Sequence, residues 1–324
     1  VGGLDNLLSN ELVMSKLSIL PDMTDPQVWV PILLVPLAVQ WWASYYPGSE
    51  PGGGGYIAQR MFSAKDEKNA VGATLFYNVA HIALRPWPWI LIALTSLVVF
   101  PDISDIQQAF PDLPADKLGH DVAYPAMLTY LPSGLLGLVA ASLIAAYMST
   151  ISTQLNLGAS YLVNDFYRRF INPDASEHKL VWAGRIFTVI TMILGSYIGL
   201  KLQSASEAFD LLLLLGAGTG LIYILRWFWW RINAYTEIVA MVSSLIIAYY
   251  LTFEHDAMGF LPLLSWQKTV LGALLTTLIW VAATYFTPQT DKQTLFKFYK
   301  LIRPGGPGWT HVVNQIPPEA DGTQ

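Results

Sequence analysis

Residues 133–163, SGLLGLVAASLIAAYMSTISTQLNLGASYLV, form an apolar run long enough to cross a bilayer, which takes about 20 residues of helix. Inside hydrocarbon, backbone N–H and C=O groups must be satisfied within the protein, so such a run folds as helix. This one carries hydroxyls crowded together at Ser149, Thr150, Ser152 and Thr153. It continues without a breaker into a charged end, Asp165, Arg168 and Arg169. Hydroxyl and carbonyl oxygens at membrane depth, with no net charge, suit a small, partly dehydrated monovalent cation. Ion-coupled transport is the first expectation.

Other runs of similar character give seven expected spans, at 26–46, 71–100, 133–163, 181–200, 208–230, 233–252 and 267–286. The chain is 53% hydrophobic and 13% charged, against about 25% charged in a soluble domain, which predicts an all-α membrane protein. Twelve Trp and sixteen Tyr fit interfacial belts. A net charge of −5 leaves no basic face for phosphates, which argues against nucleic acid as a partner. There is no cysteine, so disulfides and thiolate metal sites are excluded. The chain opens on Val1 with no signal-like segment before the first apolar run, and reads as part of a longer protein.

Lys and Arg set the expected orientation. Arg60, Lys65, Lys68, Arg168, Arg169, Lys179, Arg185, Arg226, Arg231, Lys292, Lys297, Lys300 and Arg303 fall on one side of the spans. Lys16, Lys117, Lys201 and Lys268 fall on the other. The positive-inside rule makes the first side cytoplasmic, in a plasma (inner) membrane. Residues 1–25 are then an extracellular segment, 26–286 the transmembrane core and peripheral helices, and 287–324 a cytoplasmic tail. The tail beyond residue 303 is rich in Pro and Gly and reads as flexible. Residues 47–55, PGSEPGGGG, break the first helical segment. Residues 101–130 form a long outer loop in which AYPAMLTYL predicts a short surface helix. Pro86 and Pro88 predict a kink in the second span.

Several side chains are candidates for chemistry. Ser149 and Thr150 are adjacent, and Ala146 lies one turn earlier, so local unwinding would add its carbonyl to the two hydroxyls. The competing reading is that these hydroxyls bond back to the carbonyl at i−4 or hold helices together. Trp41, Trp42, Tyr45 and Tyr46 precede the Gly-rich break and form either an interfacial belt or a substrate wall. His81 and Arg85 share one face of an apolar helix, where an ionisable residue is a functional candidate or half of a structural pair. Asp210 opens the fifth span, and Gly216, Gly218 and Gly220 permit a hinge or close packing.

AAYMSTISTQLNLGASYLVNDFYRRF resembles the signature helix of the sodium:solute symporter family. The shared pattern is Ala145-Ala146, Ser149-Thr150, Leu155-Asn156 and Asp165-Phe166-Tyr167-Arg168. Two further stretches, YIAQRMFSAKDEKNA at 56–70 and RWFWWRINAYTEIVAM at 226–241, are similar to family segments and occur in family order. The resemblance covers roughly 26–286 and implies an inverted-repeat, LeuT-like transporter of five plus five helices. Span one then looks like core helix 6, span three like core helix 8 and span five like core helix 10. The chain is then the second half, and the N-terminal half is its missing partner. The resemblance further implies sodium held by Ala146, Ser149 and Thr150, with Ser152 the candidate for a second ion. It implies a solute cavity among Trp41, Trp42, Tyr45, Tyr46, His81, Arg85 and Asp210. The solute would be small and polar, of the sugar, amino acid or carboxylate class. PGSEPGGGG departs from the family's sugar transporters, so their substrate contacts do not transfer.

Other classes fit less well. Gly158-Ala159-Ser160 resembles the Gly-x-Ser of an intramembrane protease, which needs a His base within reach. His120, His178, His255 and His311 fall in loops or the tail, and His81 precedes the serine. The expectation is a non-enzyme: sodium-coupled symport by alternating access, with a transporter-fold sensor that binds solute without moving it as the alternative. A passive channel is disfavoured by the ion-sized hydroxyl cluster.

Overall fold

The computed structural model describes residues 1–42 and 61–316, and every regular element among them is helical. Six helices are long and apolar enough to cross a membrane: α4 (Glu67–Val99), α7 (Ser133–Ile171), α8 (Glu177–Lys201), α9 (Ala205–Leu225), α10 (Ala234–Glu254) and α11 (Ser265–Phe286). The first expected span corresponds to α3 (Pro26–Gln40), which is shorter. Residues 43–46 of that span, and the Gly-rich break at 47–55, lie outside the described residues. Pro31 and Pro36 remove two backbone donors from α3, and the helix is wound as π-turns over Val30–Leu34 and Pro36–Gln40. Short side chains start several helices as N-caps. Asp66 accepts from the Asn69 N–H at 2.8 Å, and Asn233 from the Thr236 N–H at 3.1 Å.

The described residues form two compact units, 1–20 with 61–205 and 21–42 with 206–316. In the first unit, α1 (Leu4–Ser9) and α2 (Glu11–Lys16) seat Leu7 and Val13 on Leu94 near the end of α4. The outer loop is better packed than its Pro content predicts. It holds α5 (Ile103–Ala109) and α6 (Ala123–Leu128), and Ile106 and Ala126 bury with Phe100 in a small core. The α6 helix is the expected AYPAML segment. The kink in α4 appears as a π-turn at Val79–Leu84, just before Pro86, where the Arg85 N–H reaches back to the Ala80 carbonyl at 2.9 Å. The α7 helix has 39 residues, far more than a bilayer requires. Its end, π-wound over Leu162–Ile171, packs Val163 on Leu180 and Ala183 of α8. The apolar middle of α7 stays exposed, including Leu138, Ile144, Tyr147 and Met148. A helix apolar on that face needs lipid or further protein against it.

In the second unit, α10 and α11 pack antiparallel through small residues. Thr236, Ala240, Ser244 and Ala248 recur every four positions on α10, and all are buried. On α11, Thr269, Ala273, Thr276 and Thr284 are likewise buried; Thr284 meets Thr236 of α10, while Ala273 and Thr276 pack on Ala217 and Gly218 of α9. With no water to exclude inside a bilayer, close backbone approach and hydroxyl bonds replace bulky apolar contact. Thr284 donates to the Trp280 carbonyl at 2.7 Å, and the Thr236 and Thr284 hydroxyls bond at 2.9 Å. Arg231 closes the end of α11: its Nε donates to the Thr284 carbonyl at 3.1 Å and its Nη2 to the Tyr285 carbonyl at 3.0 Å. Those terminal carbonyls have no helical partner, so the guanidinium satisfies them.

The C-terminal segment corrects the expectation of a flexible tail beyond residue 303. After α12 (Lys292–Ile302), the chain turns through Gly306 and enters α13 (Thr310–Val313). Trp309 and Val312 are buried against Leu295 of α12. The Trp309 indole donates to the Trp227 carbonyl at 2.9 Å. Pro and Gly here make a tight turn that one buried tryptophan anchors. Gly308 approaches so closely that a Cβ on it would collide with the Phe228 carbonyl oxygen. Residues 317–324 lie outside the described residues.

Candidate functional site

The hydroxyl turn sits in the unbroken α-helical part of α7, Ser133–Tyr161. The local unwinding expected at Ala146 is absent, since the α-helix is continuous on both sides of it over Ser133–Tyr161. Its carbonyl therefore offers a ligand only its second lone pair. Ser149, Thr150 and Ser152 are exposed. Their hydroxyls make no hydrogen bond among the described residues, whereas the neighbouring Thr153 donates to the Ser149 carbonyl at 2.9 Å. Back-bonding is the habit elsewhere: Thr74, Thr95, Thr188, Thr219 and Thr269 each donate to the carbonyl four residues earlier. The hydroxyl turn departs from it and leaves three oxygens available to a ligand. Ser160, the protease-like serine, accepts from Asn164 Nδ2 at 3.2 Å and has no histidine partner among the described residues.

In the same unit, His81 lies in the π-turn of α4 and stacks on Tyr77, with ring centroids 5.1 Å apart and 16° between planes. Arg85 is exposed at the following turn. Neither has an acidic partner among the described residues.

The second unit joins the candidate Trp42 to a residue of α9 that lies 175 positions later in the sequence. Trp42 donates its indole N–H to the Ala217 carbonyl of α9 at 3.1 Å. Val39 and Trp42 pack on Ala217 and Ala273. Trp41 lies edge-on to Trp42 at 5.6 Å and is half exposed. Asp210 is half-buried on α9, seven residues before Ala217 and so two turns away on the same face. The glycines of GAGTG serve close packing and make no hinge, since α9 is continuous over Ala205–Leu225. A Cβ built on Gly218 would come within 2.8 Å of Thr276. Tyr45 and Tyr46 lie outside the described residues. The hydroxyl turn and the Trp42–Ala217 contact belong to different units, so neither unit alone brings the proposed ion and solute residues together.

One feature escaped the reading of the sequence. A cavity of about 700 Å³ lies at the end of α4, walled by Lys16, Trp89, Phe100, His120 and Tyr124 among others. The Trp89 and Tyr124 rings are 5.0 Å apart. Of its carboxylates, Asp121 accepts the Ala205 N–H at 2.8 Å, and the Asp102 backbone N–H donates to the Asp105 carboxylate at 2.9 Å. Lys16 and His120 have no such partner among the described residues. No local motif marks this cavity, because its walls come from four separated stretches, at 16, 89–106, 120–124 and 205.

Comparison with known proteins places the chain. The family model described as "Sodium:solute symporter family" matches residues 11–246. The "Sodium/glucose cotransporter" of Vibrio parahaemolyticus is 29% identical over 273 residues, covering 81% of this chain and 48% of that protein. The "Sodium/myo-inositol cotransporter 2" of Mus musculus is 28% identical over 207 residues, covering 59% and 30%. The "Sodium/proline symporter" of Haemophilus influenzae is 31% identical over 120 residues, covering 35% and 23%. The chain spans about half the length, or less, of these curated relatives. Transport and not enzymology is the business of this group, and its members are multi-pass membrane proteins. Six spans, an apolar helix with a hydroxyl turn and a match over most of the length lead to one assignment: the chain belongs to the sodium:solute symporter family.

Proposed function

We propose that this chain is the second half of a sodium-coupled symporter for a small polar solute, working by alternating access. The observation that carries the reading is the hydroxyl turn of α7, where Ser149, Thr150 and Ser152 keep their oxygens free while Thr153 bonds back. The Ser149 and Thr150 hydroxyls and the Ala146 carbonyl are neutral oxygens on one apolar helix and suit a small, partly dehydrated monovalent cation, with Ser152 the candidate for a second. They carry no group that exchanges a proton near neutral pH, which favours sodium over proton coupling. The remaining ligands come from the N-terminal half, which also covers the exposed face of α7. Relatives named for glucose, myo-inositol and proline support a small, strongly hydrogen-bonding solute. The candidates for solute contact are Trp41, Trp42 and Asp210 in one unit and, separately, His81 and Arg85 in the other, together with Tyr45 and Tyr46.

In this mechanism, sodium binds from outside and stabilises the outward-open state. Solute affinity rises, and rocking of the helices then exposes both ligands inside. The N-terminus of this chain is outside and its C-terminus cytoplasmic. By linkage, sodium and solute raise each other's affinity by the same factor. The test is uptake into proteoliposomes by the full-length protein, screening small metabolites with and without an inward sodium gradient. Sodium-dependent uptake that falls in Ser149→Ala and Thr150→Ala supports the reading. Uptake indifferent to sodium and to both substitutions overturns it, and solute binding without uptake favours the sensor.

A further inference from the structure

One end of the second unit carries an unusual combination of aromatic rings, exposed apolar side chains and unpaired cations. The C-terminal end of α9, the N-terminal end of α10 and the C-terminal end of α11 meet there, as the Arg231 bonds to Thr284 and Tyr285 show. The linker out of α11 is pinned to that end. Asn233 Nδ2 donates to Thr287 Oγ1 at 3.1 Å and to the Pro288 carbonyl at 3.3 Å. Helix α12 begins four residues after Pro288, so it cannot move far from the end of the spans.

The faces of α12 differ sharply. Leu295 is buried with Trp309 and Val312, and Phe298 stacks on Trp309 at 5.4 Å. Lys292, Lys297 and Lys300 are exposed on the other side. None of the three forms an ion pair among the described residues. Residues 292–318 contain no Asp or Glu at all. The helix dipole accounts for Lys300 in the last turn, but it disfavours a cation at Lys292 in the first and leaves Lys297 neutral. Arg303 adds a fourth cation at the end of α12, in a left-handed conformation (φ 50°) that glycine adopts more readily. Between these cations Leu301 is 82% exposed, and Phe286 at the end of α11 is 89% exposed. Exposed apolar groups beside unpaired cations, on a helix tethered to the end of a span, match an interfacial helix.

We propose that α12 is an anionic-lipid docking surface. Lys292, Lys297, Lys300 and Arg303 hold phosphate headgroups, while Leu301 and Phe286 enter the acyl boundary. The Trp309–Trp227 bond and the close approach of Gly308 to Phe228 fix the platform against the spans. The occupant is a lipid and not an acidic protein because the surface begins where α11 ends, and two large apolar side chains, Leu301 and Phe286, are exposed there together with the unpaired lysines.

The experiment uses the full-length protein in bilayers that contain brominated phosphatidylglycerol or, separately, brominated phosphatidylcholine. Trp227, Trp229, Trp230 and Trp309 lie at the site, so bound brominated lipid quenches their fluorescence. The expected result is stronger quenching by the anionic lipid, weakening as salt rises. A cation near an anionic surface is worth about fivefold in partitioning, so the triple substitution K292Q/K297Q/K300Q removes most of the preference. The variant K292R/K297R/K300R keeps it. Melting temperature and sodium-dependent uptake report folding and symport separately, so failure here is distinguishable from failure of the transport reading. Equal quenching by the two lipids overturns the proposal, as does a preference that survives the glutamine substitutions. Capture of acidic polypeptide with no lipid preference also overturns it.

Discussion

Trp42 Nε1 stands 3.1 Å from the Ala217 carbonyl oxygen and donates to it, tying α3 to the middle of α9. That carbonyl already accepts the helical N–H of α9, so the indole takes its second lone pair. Trp42→Phe keeps the ring and loses only the donor. The expected cost is about 0.5–1.5 kcal/mol of stability. Under the proposed function the same variant raises KM for solute and leaves the sodium dependence unchanged. Kinetics of uptake together with thermal melting separate the two effects. A lower melting temperature with unchanged KM makes Trp42 a strut and not part of the solute wall.

Ser149→Ala and Thr150→Ala each remove one oxygen from the free hydroxyl turn. A hydrogen-bond-like contact to a charge is worth about 1.5–3 kcal/mol, or roughly 10–100-fold in half-saturating sodium. Thr153→Ala is the internal control, since that hydroxyl is already bonded to the Ser149 carbonyl. Sodium titration of uptake is expected to rank both single variants well below wild type and Thr153→Ala close to it. Three equal titrations would remove the site from α7.

Gly218 and Thr276 form a contact with no room for a methyl group, at 2.8 Å from the built Cβ. Gly218→Ala overpacks the α9–α11 contact, with an expected loss of about 1–3 kcal/mol. Combining it with Thr276→Gly relieves the overlap, so the double variant loses less than the two single losses added together. Melting of the four proteins in one detergent measures the coupling. Strict additivity would show that the two residues are not in contact.

Asp256 and Lys268 pair at 2.9 Å across the turn between α10 and α11. The hydrogen bond from Lys268 is the main cause that holds the Asp256 carboxyl below its ordinary value. Because the folded-state pKa lies below that of the unfolded chain, the stabilisation is fully present above the ordinary carboxylate value, about 4. It is lost as pH falls further, through the lowered folded value. Protection of the amides in 255–264, relative to their intrinsic exchange rates, is therefore expected to fall below about pH 4. Asp256 is exposed, so high salt reduces the effect. Asp256→Asn should exchange faster at neutral pH and lose this pH dependence.

Much of the architecture was legible locally. The places of six long helices, the short outer helix in AYPAML and the break before Pro86 follow from apolar run length and proline chemistry, whereas the seventh expected span, 26–46, is matched only by the shorter α3. The N-caps at Asp66 and Asn233 are legible too, since they need only a short side chain and the next turn. The free hydroxyls were harder to read. Ser149 and Thr153 look alike in sequence, yet only Thr153 donates to a carbonyl. A side-chain rotamer makes that choice, and composition does not record it. GAGTG left a hinge and close packing equally open until Thr276 was found against Gly218.

Apolar runs make this chain helical and suited to a bilayer before any packing, because they must satisfy their own backbone there. The family is likewise written in the residues, through a hydroxyl turn and two flanking segments in order. That residues 306–313 fold back on 227–230, that Trp42 bonds Ala217 and that Arg231 closes α11 depends on the packed helices. These are contacts between stretches 53 to 175 residues apart. Local periodicity says nothing about such distances, and packing geometry selects the partner only once the helices have met.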